Sequence, residues 1–104
     1  METIKSKQLF SQVFYDGRRA NHPLVRVCAL PCEGSGKIAF VAARRLGTAP
    51  FRNRCKRVLR EAAREMDLPP ESANIILFAT RATHDAHPAE IAEALRSLRK
   101  RAGF

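Results

Sequence analysis

The chain has 104 residues, a length that corresponds to one domain with a single core. Hydrophobic residues make up 45% of it and aromatic residues only 7%, which favours a folded domain with an aliphatic core over a disordered chain. Its 19 basic and 10 acidic side chains give a net charge of +9, so a polyanion is the expected partner. We therefore take residues 1–104 as a single domain.

Cysteine usage and the length of the apolar runs indicate the compartment. Cys28, Cys32 and Cys55 are an odd number with no secretory segment before them, which favours free thiols in a reducing cytoplasm over a disulfide framework. The three histidines show no spacing typical of a zinc motif, so no metal ligands are predicted. No apolar stretch reaches the roughly 20 residues that cross a bilayer, so we expect a cytoplasmic protein without membrane contact.

The first predicted element is a short amphipathic helix over Ser6–Asp16. Apolar residues recur there at helical spacing, at Leu9, Phe10, Val13 and Phe14. Ser6 is a typical helix N-cap, and Gly17 can end the helix. The following segment, residues 18–23, is polar and is predicted to be irregular.

Two strands are predicted next, over Leu24–Leu30 and Lys37–Ala43. The turn between them contains Gly34 and Gly36, which suggests that the two strands form a β-hairpin. Residues 42–45 could add another short strand.

A basic amphipathic helix follows the break at Gly47. It begins at Thr48 or Pro50 and runs to about Met66, before two consecutive prolines that cannot continue a helix. Its apolar face comprises Phe51, Cys55, Val58, Leu59, Ala62, Ala63 and Met66. Its opposite face is cationic and comprises Lys56, Arg57, Arg60 and Arg64. We expect the apolar side to pack and the basic side to face a partner.

The chain ends with a strand over Asn74–Thr80 and a helix over Pro88–Arg101. The strand is continuously apolar, which is typical of a central strand covered on both faces. The helix carries an apolar stripe and a basic last turn, where the helix dipole favours cations. Between them, His84 and His87 are predicted to be exposed loop or capping residues. The predicted order is therefore α-β-β-α-β-α.

Most of the charge lies in one window. Residues 44–64 contain eight basic side chains and a single acid, so they carry seven of the nine net positive charges. A solvated helix face is the alternative explanation for a basic run, but this density favours a surface that binds a polyanion. No nucleophile, base and orienting group occur in a recognised spacing, so no catalytic side chain is predicted.

The residues in and before this window resemble the signature of a known family. Residues 43–61 read ARRLGTAPFRNRCKRVLRE, with a basic pair before a glycine, an Arg-Asn-Arg core, a Lys-Arg pair and a further Arg-Glu. This run is similar to the signature of the bacterial ribonuclease P protein component. The FSQVF run at residues 10–14, followed by Gly17, resembles that family's first helix.

The resemblance implies an α+β fold, a single-domain α/β sandwich like the second domain of ribosomal protein S5. Its mixed sheet would have a left-handed βαβ crossover through the basic helix. The resemblance also implies the accessory subunit of an RNA-based endonuclease, ribonuclease P, which removes 5′ leaders from precursor transfer RNA. The partners are then the catalytic RNA and precursor transfer RNA, with one monomeric protein per RNA. Mg²⁺ would be held mainly by the RNA.

The resemblance further implies which residues bind RNA. Those expected to contact the catalytic RNA are Arg44, Arg45, Arg52, Asn53 and Arg54. Those expected to face the cleft for the precursor's leader are Lys56 and Arg60, flanked by Arg57 and Arg64. Arg81 matches a further basic position. Phe10 and Phe14 would line the leader cleft and stack on bases, with packing in the core as the alternative for both rings.

Two other kinds of protein share parts of this pattern. A non-catalytic RNA-binding protein, such as a ribosomal protein, has the same size, charge and lack of active-site chemistry. A DNA-binding module would place Arg52–Arg64 in a major groove, but it needs a two-helix recognition unit that the element order does not supply.

Overall fold

The computed structural model describes all 104 residues and contains three helices and four strands. Their bounds are α1 Lys7–Asp16, β1 Arg18–His22, β2 Val25–Ser35, β3 Ile38–Val41, α2 Ala49–Glu65, β4 Glu71–Ala79 and α3 Pro88–Ala102. Two short 3₁₀ turns, Arg44–Leu46 and Arg81–Asp85, precede α2 and α3. The three predicted helices are confirmed within a residue or two at their ends. None of them has the length and apolar character needed to cross a membrane.

The strands form one mixed sheet in the order β1-β2-β4-β3. β2 runs antiparallel to both β1 and β4, whereas β3 is parallel to β4. β4 lies inside the sheet, and its residues Ile75, Ile76 and Leu77 are fully buried, which confirms the prediction of a central strand. The parallel pair is connected through α2, as a βαβ crossover. The left-handed sense expected for this crossover stays a prediction.

The structure contradicts three local predictions. Residues 18–22 form β1, whereas an irregular segment was expected. Only Ala20 of this edge strand is buried, so its other positions can be polar and the strand has no apolar alternation. The hairpin is formed by β1 and β2 and not by β2 and β3, since β4 lies between the latter two. Residues 44–46 form a 3₁₀ turn and not a strand.

Gly36 shows why the β2–β3 connection is not a hairpin. Its amide donates a hydrogen bond to the Pro70 carbonyl at 3.0 Å. A Cβ at this position would lie 1.7 Å from the Ala73 carbonyl oxygen, so the glycine allows the chain to pass directly against the start of β4.

The two faces of the sheet are covered by different helices. Alternate residues of β2, including Val25 and Val27, join α2 and α3 in a cluster of 20 buried residues. Cys28 faces the other way and packs with Val13 of α1 and Ile76 of β4. This alternation follows from the two-residue period of a strand. α1 therefore lies on the opposite side of the sheet from α2 and α3.

The predicted helix signals are present. The Ser6 hydroxyl accepts a hydrogen bond from the Leu9 amide at 3.2 Å, and the Thr48 hydroxyl accepts one from the Phe51 amide at 3.4 Å. Along α2 the predicted apolar stripe is buried at Cys55, Val58, Leu59, Ala62 and Ala63. Packing of this stripe leaves the basic side of α2 on the surface.

Candidate nucleic-acid interface

A cavity of about 410 Å³ opens on the face of the sheet that carries α1. α1 contributes Phe14 to its lining, and the strands and the segment after β3 contribute Arg19, Asn21, Arg26, Val41, Arg45 and Phe78. Arg19, Asn21 and Arg26 come from the β1–β2 hairpin, in which Asn21 and Arg26 are directly paired. The cavity thus combines aromatic and cationic side chains on one surface.

The aromatic part of the cavity is centred on Phe14. Its ring lies edge-on to Phe78 of β4, with centroids 6.0 Å apart, and 6.2 Å from the ring of Phe10. The Arg19 guanidinium lies 4.4 Å from the Phe14 centroid, and its Nη2 donates a hydrogen bond to the Phe14 carbonyl at 2.7 Å. A planar cation resting on an aromatic ring holds both groups in place and offers its other face to a ligand.

The cationic part extends beyond the cavity. A smaller adjoining pocket shares Arg26 and Arg45 with it and adds Thr80 and Arg81. No acidic residue lines either pocket. We call this continuous surface the arginine groove and define it by Phe14, Arg19, Asn21, Arg26, Arg45, Phe78 and Arg81. With four arginines and no carboxylate, it favours a bound polyanion.

α2 presents a second basic surface. Asn53, Arg54, Arg57, Arg60 and Arg64 are exposed, and Arg52 and Lys56 are half-buried. The Nε of Arg52 is buried without a hydrogen-bond partner. The Nε of Arg54 donates to the His84 carbonyl at 2.8 Å. Arg44 is exposed on the 3₁₀ turn just before this helix.

The structure brings some predicted site residues together and separates others. Phe14, Arg45 and Arg81 lie in the arginine groove. Lys56, Arg57, Arg60 and Arg64 do not line it, because α2 packs on the opposite face of the sheet. The structure thus separates Lys56 and Arg60 from Phe14, and the three residues do not line one cavity. Their role as RNA contacts stays a prediction.

Arg60 and Phe10 illustrate this separation. The Arg60 guanidinium lies 5.4 Å from the ring of Phe40, which packs against the core on the α2 side of the sheet. Phe10 is half-buried and lines a shallow depression on α1 with Ser11, Phe14 and Tyr15. Phe10 is thus beside the arginine groove and not among the residues that line it.

Four of the seven residues that define the arginine groove were not predicted: Arg19, Asn21, Arg26 and Phe78. Arg19 and Asn21 belong to the strand that was taken for an irregular segment. Arg26 and Phe78 occupy alternate positions within predicted strands, so the two-residue period was the signal that could have placed them on one face. Which face carries the cavity depends on the position of α1, which the sequence does not specify.

Two of the three thiols, those of Cys28 and Cys55, are buried and not available for chemistry. Cys28 is fully buried, and its Sγ donates a hydrogen bond to the Val13 carbonyl at 3.0 Å. Burial raises the pKa of the Cys28 thiol, and nearby Arg19 offsets this only in part. Burial likewise raises the pKa of the Cys55 thiol, against a smaller lowering by Arg54. Both cysteines therefore act as small packing groups.

The histidines are used structurally. His87 is the N-cap of α3, because its Nδ1 accepts a hydrogen bond from the Ala89 amide at 3.1 Å. His84 stacks on Phe51 of α2 and lies 2.7 Å from an Asp85 carboxylate oxygen. The three histidines, three cysteines and ten acids form no group of three that could hold a metal ion.

Comparison with known proteins identifies the family. A family model described as ribonuclease P matches residues 1–103. The chain belongs to the ribonuclease P protein family. It is 34% identical to the ribonuclease P protein component of Xylella fastidiosa over 91 residues, which are 86% of this chain and 67% of that protein. It is also 34% identical to the component of Symbiobacterium thermophilum over 97% of this chain and 90% of that protein.

Solved structures show the same fold. The ribonuclease P protein of Thermotoga maritima superposes with a TM-score of 0.80 at 21% identity, covering 100% of both chains. That of Staphylococcus aureus superposes with a TM-score of 0.78 at 21% identity, covering 99% of this chain and 96% of the other. Membership of the family means that this protein takes part in ribonuclease P and transfer RNA processing and associates with ribonuclease P RNA.

Proposed function

We propose that this protein helps ribonuclease P RNA to remove the 5′ leader from precursor transfer RNA by binding two RNA segments on separate surfaces. The arginine groove takes the single-stranded leader, and the basic surface of α2 takes the catalytic RNA. The observation that carries this proposal is the groove itself, with four arginines, two aromatic rings and no carboxylate.

The groove suits a single strand. Arginine forks match phosphate oxygens and supply the sequence-independent part of the affinity. Phe14 and Phe78, with the guanidinium of Arg19 on Phe14, give flat surfaces on which an unpaired base can stack. A base in a duplex is already stacked and cannot use these surfaces. The groove therefore favours an unpaired leader over the folded body of transfer RNA.

The α2 surface suits the backbone of a structured RNA. Arg52, Asn53 and Arg54 occupy the first half of α2, with Arg44 on the preceding turn. Because Lys56 and Arg60 lie away from the groove, we assign them to this surface as well. Arg57 and Arg64 extend it along the helix.

We assign bond cleavage to the RNA and to Mg²⁺ held mainly by it. The arginine groove offers guanidinium, amide and aromatic groups but no carboxylate, imidazole or thiol to accept or donate a proton at neutral pH. The protein would then act by positioning the leader, as one monomer on each catalytic RNA. Neutralising phosphates near the cleavage site would lower the Mg²⁺ concentration that the RNA requires.

Reconstitution tests this function. The protein is added to a bacterial ribonuclease P RNA at low Mg²⁺, and cleavage of precursor transfer RNA is followed in single-turnover reactions. We expect added protein to increase the cleavage rate and to tighten binding of precursor more than binding of mature transfer RNA, because only the precursor has a leader. A rate that does not change with added protein would refute the proposal and leave a ribosomal-type RNA-binding role.

A further inference from the structure

The 3₁₀ turn Arg81–Asp85 is attached to α2 at two adjacent points. The imidazole of His84 stacks on the ring of Phe51, with centroids 4.2 Å apart and planes inclined by 6°. The backbone carbonyl of the same histidine accepts the hydrogen bond from Arg54 Nε at 2.8 Å. Phe51 and Arg54 are three residues apart and so lie on one side of the helix. One residue of the turn thus contacts two consecutive positions on that side.

The turn is itself firmly fixed. Thr83 is fully buried, and its hydroxyl donates a hydrogen bond to the Leu24 carbonyl at 2.6 Å. The Thr80 hydroxyl donates to the Pro23 carbonyl at 2.6 Å, and the Thr80 amide donates to Thr83 Oγ1 at 2.8 Å. The Asp85 carboxylate lies 2.7 Å from His84 Nδ1. These contacts give the imidazole and the carbonyl of His84 a defined position relative to the sheet.

Phe51 is confined from its own side as well. Gly47 approaches the ring so closely that a Cβ there would lie 3.0 Å from Phe51 Cγ. Gly47 restricts the ring of Phe51, and that ring stacks on His84. The carbonyl of His84 is therefore held within hydrogen-bonding distance of Arg54. Only Nε of that guanidinium is used by this bond, so its two terminal nitrogens stay available for a ligand.

We propose that His84 is a positioning residue, which directs the exposed guanidinium of Arg54 toward the catalytic RNA. This inference rests on the proposed function, in which Arg54 contacts that RNA. An exposed arginine normally loses rotamer freedom when it binds phosphate. Here the stack and the carbonyl bond have already restricted Arg54, so the pair of terminal nitrogens is oriented before the RNA arrives.

A double-mutant cycle tests the proposal with the full-length protein and a bacterial ribonuclease P RNA. The variants are His84→Ala, Arg54→Ala and the two combined, and the measurement is the dissociation constant at several salt concentrations. We expect His84→Ala to weaken binding by about threefold to tenfold. The combined variant should bind no more weakly than Arg54→Ala alone, because His84 acts through Arg54. Losses that multiply would overturn the proposal.

His84→Phe separates stacking from imidazole chemistry. A phenyl ring can stack on Phe51 but cannot ionise, so we expect it to restore binding to within about twofold of the wild type. Phe51→Leu removes the stack from the α2 side and should reproduce the loss seen with His84→Ala. If His84→Phe is as weak as His84→Ala, or if Phe51→Leu binds normally, the stack does not orient Arg54.

Two controls keep this result distinct from a loss of fold or of function. His22→Ala removes a half-buried histidine at the end of β1 that accepts a hydrogen bond from the Leu24 amide, and it should leave RNA binding unchanged. A loss with His22→Ala equal to that with His84→Ala would mean general destabilisation and would overturn the inference. A wild-type protein that does not bind the RNA would refute the proposed function and this inference with it. Normal wild-type binding with independent losses would refute the inference alone.

Discussion

Cys28 and Cys55 fill small spaces in the core. Cys28 connects β2 to α1 through its bond to the Val13 carbonyl, and Cys55 of α2 packs with Ala42 and Leu46. Burial raises the pKa of both thiols, so the folded protein holds them in the neutral form. Cys32 is half-buried near the end of β2 and differs from both.

We predict that one thiol reacts rapidly in the native protein. At pH 8 a disulfide reagent should modify Cys32 in a fast phase, whereas Cys28 and Cys55 should react only as fast as the protein unfolds. Cys32→Ser should remove the fast phase. Two or more fast thiols would show that the burial of Cys28 or Cys55 is not maintained in solution.

The same pKa shifts give a pH dependence of stability. Because the thiol pKa is higher in the folded than in the unfolded state, the unfolded state releases protons first as the pH rises. The contribution of the two buried neutral thiols to the free energy of unfolding is therefore complete below the ordinary thiol pKa. It is lost as the pH rises through the thiol pKa values of the folded protein. Urea unfolding of the wild type and a Cys28→Ala variant between pH 7 and 10 should show a steeper decline for the wild type.

Gly36 is the glycine that the fold requires most. Gly36→Ala would place a Cβ 1.7 Å from the Ala73 carbonyl oxygen, and backbone cannot move aside as a flexible side chain can. We predict a loss of about 3 kcal/mol or more in the free energy of unfolding, measured with urea. Gly34→Ala is the matched control, since Gly34 has open space around it but a φ of +78°. It should cost only about 1–2 kcal/mol.

At the scale of elements, the helices and the buried strand could be predicted because burial leaves a periodic pattern. The stripe from Cys55 to Ala63 is repeated at helical spacing, and the apolar run of β4 can lie only inside a covered sheet. β1 leaves no such pattern, because an edge strand with one buried residue has no apolar alternation. The sheet order could not be derived, since the close approach at Gly36 resembles a turn signal in the sequence.

Residues of the arginine groove could be predicted where local sequence identifies them. They were missed where their position depends on how the strands pair and the helices pack. Arg45 and Arg81 were named as RNA-binding residues from the signature and from the position after β4, and both lie in the arginine groove, although Arg45 was expected on the catalytic RNA. Arg19 and Asn21 reach it only because β1 pairs with β2. The separation of Lys56 and Arg60 from Phe14 could not be predicted, because a helix pattern distinguishes a buried side from an exposed side but does not show what adjoins the exposed side.

The two basic surfaces should respond differently to the leader. We predict that Arg26→Ala weakens binding of precursor transfer RNA to the reconstituted enzyme by about tenfold, with little effect on mature transfer RNA. Arg60→Ala should weaken assembly with the catalytic RNA and leave the ratio of precursor to mature affinity unchanged. Equilibrium binding of both transfer RNAs at fixed salt measures this ratio.

Arg101→Ala controls for the loss of one positive charge, because Arg101 is exposed in the last turn of α3 and lines neither surface. If Arg60→Ala lowers the ratio and Arg26→Ala does not, the assignment of the two faces is reversed.

At the scale of the whole molecule, charge is distributed over both faces of the sheet. Residues 44–64 carry seven of the nine net charges, most of them on α2, whereas Arg45 lies with Arg19 and Arg26 in the arginine groove on the α1 side. If the four groove arginines neutralise about four phosphates of a single-stranded leader, log affinity should fall with log salt at a slope of about −3. A flat salt dependence would show that stacking, and not charge, dominates binding.

So many like charges in one small domain also affect folding without RNA. Residues 44–64 repel one another in the free protein, and any anion that binds the folded form selectively relieves this repulsion and stabilises it by mass action. At about ten times its dissociation constant, sulfate or phosphate should raise the thermal midpoint by about 5–10 °C. Sodium chloride at equal ionic strength should raise it less, because chloride screens charge but does not bridge arginines. Arg52→Ala and Arg60→Ala combined should reduce the difference between sulfate and chloride. Equal midpoints in the two salts would mean that the cations act independently and form no clustered site.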